Sequence, residues 1–151
     1  AGPDHAQIAA CAGMADYVDA LYAHHFDADA SPAKRTAAVT AMQRRHETET
    51  LAPLLDFLAG RDDVRVLGNS GIGNDGRRVP TVALDTNKQA KGVAEALASH
   101  GVMAGAGDFY AMRTIGAMGC DKDAGVLRLS FVHYTSDAEV EKLMTALDAT
   151  L

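Results

Sequence analysis

Residues 125–147 read GVLRLSFVHYTSDAEVEKLMTAL, and their reading decides the fold. The stretch joins a strand, a sharp turn and an amphipathic helix. Leu127, Leu129 and Phe131 alternate onto one face of the strand, and Val126, Arg128, Ser130 and Val132 onto the other, because successive strand side chains point to opposite faces. The first face is wholly apolar and predicts a core. The second carries a guanidinium in an otherwise uncharged run, so Arg128 points at whatever lies across that face. Ser136 and Glu139 have the spacing of a capping box, in which each side chain bonds the other's backbone amide. Val140, Leu143, Met144 and Leu147 then recur at intervals of three and four, the apolar stripe of a helix.

Working back from that stretch, Val64, Val66 and Leu67 predict a short strand, and Val79, Thr81, Val82 and Leu84 a returning one. The glycine-rich segment 68–76 between them resembles a phosphate loop only in composition. A phosphate loop runs from a strand into a helix whose first amides bind the anion, whereas this one runs into a second strand and reads as a hairpin tip. Residues 87–100 predict a helix ended by Gly101, 102–104 a short strand, 105–108 a loop and 109–118 a short helix. From residue 62 onward the order is β-β-α-β-α-β-α. That order defines an α+β fold, a small, mostly antiparallel sheet with helices packed on one face.

Two helices precede it. Asp4 is placed to cap the first. Its stripe of Ile8, Cys11, Ala12, Ala15, Val18 and Tyr22 predicts a buried face, with Cys11 as a small buried hydrophobe. The second runs from Ser31-Pro32 to Ala59 and is closed by Gly60, with Pro53 as a kink candidate. Its polar waist, Gln43–Thr50, predicts a segment in solvent or a bridge between two bodies. His46-Glu47 opens an HExxH pattern, but Thr50 stands where the second histidine is required, so that zinc motif is absent. His24 and His25 are adjacent and cannot share a helix face, and no third ligand lies at metal spacing.

The whole chain bounds the function. Its 151 residues are enough to bury a core without disulfides or metals. A net charge of −6 gives no basic face for nucleic acid, and no apolar run of about 18 residues predicts a membrane span. The two cysteines, Cys11 and Cys120, form neither a CxxC pair nor a disulfide framework, which sets a cytoplasmic expectation. On order alone, a free-standing α+β module binding a small ligand or a protein partner fits as an alternative.

The ending VLRLSFVHYTSDAEVEKLMTAL resembles the R-x-S-x-x-x-Y-N-T-x-x-E-[VI] ending of PLP-dependent class V aminotransferases. The cysteine-desulfurase-like and isopenicillin-N-epimerase-like group is the nearest match. DHAQIAACAGMADYVDAL, Gln43–Leu58, RRVPTVAL and VAEALASHGVMAGAGDFYA are similar to further elements of that group, in the same order. The resemblance implies the C-terminal part of a longer enzyme. Residues 1–30 would end its cofactor domain, and 31–151 would form the interdomain helix and small domain.

The resemblance further implies pyridoxal phosphate in the parent protein, held by a lysine outside this chain, an amino-acid substrate and a homodimer. Arg128 falls where the family's arginine grips the substrate carboxylate, a task that suits a planar guanidinium. Gly107, Asp108, Phe109 and Tyr110 match the active-site loop. Tyr110 stands where desulfurases carry a nucleophilic cysteine, and sulfur transfer requires a thiolate. Transamination, epimerisation or lyase-type chemistry is therefore expected of the parent, with this fragment inactive alone. Gly2-Pro3 replaces the family's Gly-Thr, and no cofactor role is carried onto it.

Overall fold

The computed structural model describes residues 2–73 and 78–151. Part of the hairpin tip expected at 68–76 therefore lies outside the described residues. The chain divides into two compact units, one ending at Arg45 and the other running from His46 to Leu151.

The first unit contains α1 (His5–His25) and the start of α2 (Pro32–Ala59). Asp4 caps α1 as expected, its carboxylate accepting from the amides of Ala6 and Gln7 at 3.0 and 3.3 Å. Arg35 holds Asp19 through two bonds of 2.7 and 3.2 Å and donates to the Ala30 carbonyl at 2.9 Å. Tyr22 is buried, stacks on Phe26 and donates its hydroxyl to the Ala28 carbonyl. The expected buried stripe of α1 is corrected: Ile8 and Cys11 are exposed and Tyr22 alone on it is buried. A helix stripe is buried only where another surface covers it, and among the described residues nothing covers the first turns of α1.

The second unit holds β1 (Val64–Val66), β2 (Thr81–Thr86), α3 (Ala90–Ser99), β3 (Gly105–Gly107), α4 (Met112–Ala117), β4 (Val126–Ser130) and α5 (Asp137–Thr150). The α+β fold class is as read from the sequence. The sheet has the order β1-β2-β4-β3, and each neighbouring pair is antiparallel. Leu127 and Leu129 of β4 and Val82 and Leu84 of β2 fill one face. They pack with Val93 and Leu97 of α3 and with Val140, Leu143 and Leu147 of α5.

Leu51, Leu54, Leu55 and Leu58 join the same core. The second half of α2 is thus part of this domain rather than an element that stands before it. Of the two readings of the polar waist the bridge holds, since the division between the two units falls within it, after Arg45, while its end is not in solvent. Thr50 is 2% exposed, and the His46 ring donates from Nε2 to the Thr135 carbonyl at 2.8 Å. That bond ties α2 to the turn after β4. Pro53 lies inside α2 and does not end it.

Two further expectations shift. The third strand occupies residues 105–107, not 102–104, and pairs Gly105, Ala106 and Gly107 with Arg128, Leu127 and Val126. The helix expected over 109–118 begins only at Met112, because Phe109 and Tyr110 hold φ of 50° and 61°, outside the right-handed helical region.

Candidate functional site

The sheet face opposite the core positions the site. Register places Ala83, Arg128 and Gly105 side by side across β2, β4 and β3, and antiparallel partners share a face. Arg128 is therefore flanked by a methyl group and a hydrogen atom. Thr81 and Ser130 form the next row, their hydroxyls 3.4 Å apart. In the other direction Val126 is covered by Ile115 of α4 and by Cys120, with Leu67, Phe109 and Ala111 packed around them. Arg128 thus lies where the covered half of the face gives way to the open half.

Arg128 is exposed, as alternation along β4 predicts. Among the described residues no carboxylate pairs with it. Its Cζ instead lies 4.1 Å from the centroid of the Phe109 ring, a cation–π distance. The charged groups of β1–β2 on this face engage each other: Arg65 donates to Asp85 at 2.7 Å, and also to the Met118 carbonyl at 3.0 Å and to Cys120 Sγ at 3.3 Å. Burial pushes the Cys120 thiol up, against the pull of the Arg65 cation.

The loop read as the active-site loop brings its residues to Arg128. Gly107 ends β3 with φ 132°, and a side chain at Gly125 would meet the Gly107 backbone at 3.0 Å. Asp108 accepts from the Tyr110 amide at 2.8 Å through its side chain and from the Ala111 amide at 2.8 Å through its carbonyl. Those two hydrogen bonds close the turn in which Phe109 folds inward and Tyr110 projects fully into solvent. Sequence reasoning placed Phe109 in the loop but did not place its ring on Arg128. The signal available was Gly105: a Cβ there would stand 3.2 Å from the Phe109 ring and 3.7 Å from Arg128 Nε.

A cavity of about 240 Å³ opens elsewhere, between the end of α3 and the start of α5, lined by Met103, Phe131, Thr135, Glu139 and Lys142 among others. Its charged groups are committed internally. Lys142 donates to the Gly101 carbonyl at 3.0 Å, and Glu139 accepts from the Ser136 amide and hydroxyl at 2.8 Å each. Arg128, by contrast, has no carboxylate partner among the described residues, so its face is the better candidate. Among the described residues no three metal-ligating side chains cluster, and no described helix is long and apolar enough to cross a membrane.

The geometry defines a class: an α+β sheet domain that offers one arginine on an open face beside a tight glycine-rich loop. Comparisons with known proteins narrow it. No family model matches the chain. An aminotransferase-like protein of Gibberella zeae is 30% identical over 110 residues, 70% of this chain and 27% of its own length. The chain thus spans about a quarter of that relative. The cysteine desulfurase CsdA of Escherichia coli superposes with a TM-score of 0.59 at 20% identity, over 83% of this chain and 32% of its own. A NifS-like protein of Rickettsia africae does so with a TM-score of 0.61 at 19% identity, over 79% and 31%. Sequence and fold point the same way: the chain resembles the C-terminal part of a cysteine-desulfurase-like protein of the class V aminotransferase family, as its ending implied.

Proposed function

We propose that this chain is the C-terminal part of a pyridoxal-phosphate-dependent enzyme acting on an amino acid, in which Arg128 grips the substrate's α-carboxylate. The observation that carries the reading is the state of Arg128: exposed on an open sheet face, stacked on Phe109, with no carboxylate partner among the described residues. A structural arginine is normally paired, as Arg61 and Arg65 are here. One that keeps its in-plane N–H donors uncommitted is ready for a planar, two-bonded anion.

The division of labour follows from the residues present. Bound pyridoxal phosphate supplies the electron sink that loosens a bond at Cα, and the protein supplies orientation. This chain's contribution is the orientation. Arg128 fixes the carboxylate, and the turn of Gly107, Asp108, Phe109 and Tyr110 borders it. Three of the lysines are engaged elsewhere: Lys88 donates to Thr150, Lys142 to Gly101, and Lys91 faces Glu95. In this reading the cofactor lysine belongs to a part of a longer protein outside this chain. Residues 1–30 then end the cofactor domain, and 31–151 supply the interdomain helix and small domain. Tyr110 offers a phenol where sulfur transfer needs a thiolate, which favours transamination, epimerisation or lyase-type chemistry. A cytoplasmic homodimer completes the reading.

The test uses the full-length protein. It should purify yellow, or turn yellow on reconstitution with pyridoxal phosphate, and Arg128→Ala should raise KM for its amino acid by about 2–4 kcal/mol in free-energy terms. Full-length protein that takes up no pyridoxal phosphate overturns the enzyme reading, and an unchanged KM overturns the role of Arg128.

A further inference from the structure

We infer that Phe109 is a positioning residue for Arg128: its ring forms a platform that holds the guanidinium in one orientation and leaves its edge free for an anion. The inference deepens the carboxylate reading above and rests on separate observations. The guanidinium carbon lies 4.1 Å from the ring centroid. Phe109 reaches that place from a left-handed backbone, φ 50°, next to a second left-handed residue, Tyr110. Such conformations are uncommon for aromatic residues and persist only where the surroundings impose them. Here the Asp108 bonds to the Tyr110 and Ala111 amides impose them. Gly105, paired with Arg128 across the sheet, leaves the space that the ring and the guanidinium Nε share.

A guanidinium has two kinds of surface. Its flat face binds an aromatic ring through the ring's quadrupole, and its edge carries the N–H donors that bind a carboxylate in parallel. The two contacts do not compete. A stacked guanidinium can therefore take an anion without leaving the ring, and it loses less rotational freedom in doing so than a free one. Gly107, Asp108 and Tyr110 serve the same end through the backbone. They build the turn that turns Phe109 inward while Tyr110 points outward.

Phenylglyoxal labelling of the full-length protein, read at the peptide carrying Arg128 by mass spectrometry, tests this without any assay of activity. The reagent needs access to the guanidinium, and a stacked ring limits it. Phe109→Leu should speed labelling of Arg128 about two- to fivefold, while Phe109→Tyr, which keeps a ring, should label as the wild type does. Gly105→Ala offers a second route that keeps residue 109 a phenylalanine: a Cβ there would stand 3.2 Å from the ring, so the ring must shift and the rate should rise in the same direction. Arg65, held by Asp85 on the same sheet face, is the internal control.

An unchanged Arg128 rate in both Phe109→Leu and Gly105→Ala overturns the inference, as does a rise that Arg65 shares equally. L-alanine added to the wild type tests the carboxylate reading separately. If it fails to protect Arg128, that reading falls, while the platform is judged by the variants alone.

Discussion

Arg128 depends on the small residues around it. Ala83 and Gly105 flank it across the sheet, and one turn away Gly125 meets Gly107 at the seam between β4 and the loop. Gly125 holds φ +69°, and a Cβ there would lie 3.0–3.3 Å from three backbone atoms of Gly107. Backbone cannot yield as a flexible side chain does. Gly125→Ala should therefore cost about 1–3 kcal/mol, seen as a lower urea midpoint with unchanged slope. Gly92, exposed within α3 with nothing within 4 Å of its missing Cβ, gives the opposite expectation. Gly92→Ala should stabilise by about 0.5–1 kcal/mol, because alanine gives up less freedom in a helix. If both substitutions moved the midpoint the same way, the distinction drawn between these glycines would fail.

Among the elements, α5 and β4 were legible in the sequence because their signals are local. The capping box forms as spaced, with Ser136 bonding the Glu139 amide and Glu139 bonding back. The alternation of β4 puts Leu127 and Leu129 inside and Arg128 and Ser130 outside. Gly105–Gly107 gave no such signal. Glycine and alanine have little intrinsic strand preference, and these residues are a strand only because β4 pairs with them. The shortened α4 was hidden for a related reason, since nothing in Phe109 or Tyr110 announces a left-handed backbone. Cys11 was misread because a stripe states what a helix could bury, not what covers it.

The capping box also makes a pH prediction. Its bonds to Ser136, the backbone amide first and the hydroxyl second, hold the Glu139 carboxyl below its ordinary value. A carboxyl depressed in the folded state stabilises fully above its unfolded pKa and loses that contribution as pH falls through its folded value. Ser136→Ala should cost about 1 kcal/mol near pH 7, and the gap to the wild type should narrow at pH values below about 4. Denaturant midpoints at pH 7 and pH 3 check it; a gap of constant size would mean that the Ser136 hydroxyl adds nothing to the hold on Glu139.

At the scale of the second unit, one polar clamp joins parts of the sequence that the sheet does not. Arg61, just beyond α2, bonds both oxygens of Asp63 at 2.8 and 2.6 Å and reaches Asp148 of α5 at 2.7 Å. Its guanidinium also lies 5.3 Å over the Phe57 ring. The pair shifts both partners in the expected sense. Bonding to Asp63 first, then to Asp148, raises Arg61 despite partial burial, and bonding to Arg61 holds the Asp63 carboxyl down. The side chain of Arg61 is 17% exposed, but that of Asp148 is 74% exposed, so solvent screens much of the attraction to α5.

The clamp is therefore worth about 1 kcal/mol rather than several. Its sign is nonetheless fixed. Because Asp63 is depressed in the folded state, the contribution is complete above the unfolded carboxylate pKa and disappears as pH falls through the lower folded value. Arg61→Met keeps an unbranched apolar side chain and removes the guanidinium, with its bonds to Asp63 and Asp148 and its place over Phe57. It should lower stability at pH 7 by about 1 kcal/mol and flatten the fall in stability as pH is taken from about 5 to 2. Chemical unfolding of the wild type and Arg61→Met across that range decides it. Curves that stay parallel through the acid limb would show that the ion pair adds nothing, leaving the apolar packing of α2, α5 and the sheet to hold the unit closed.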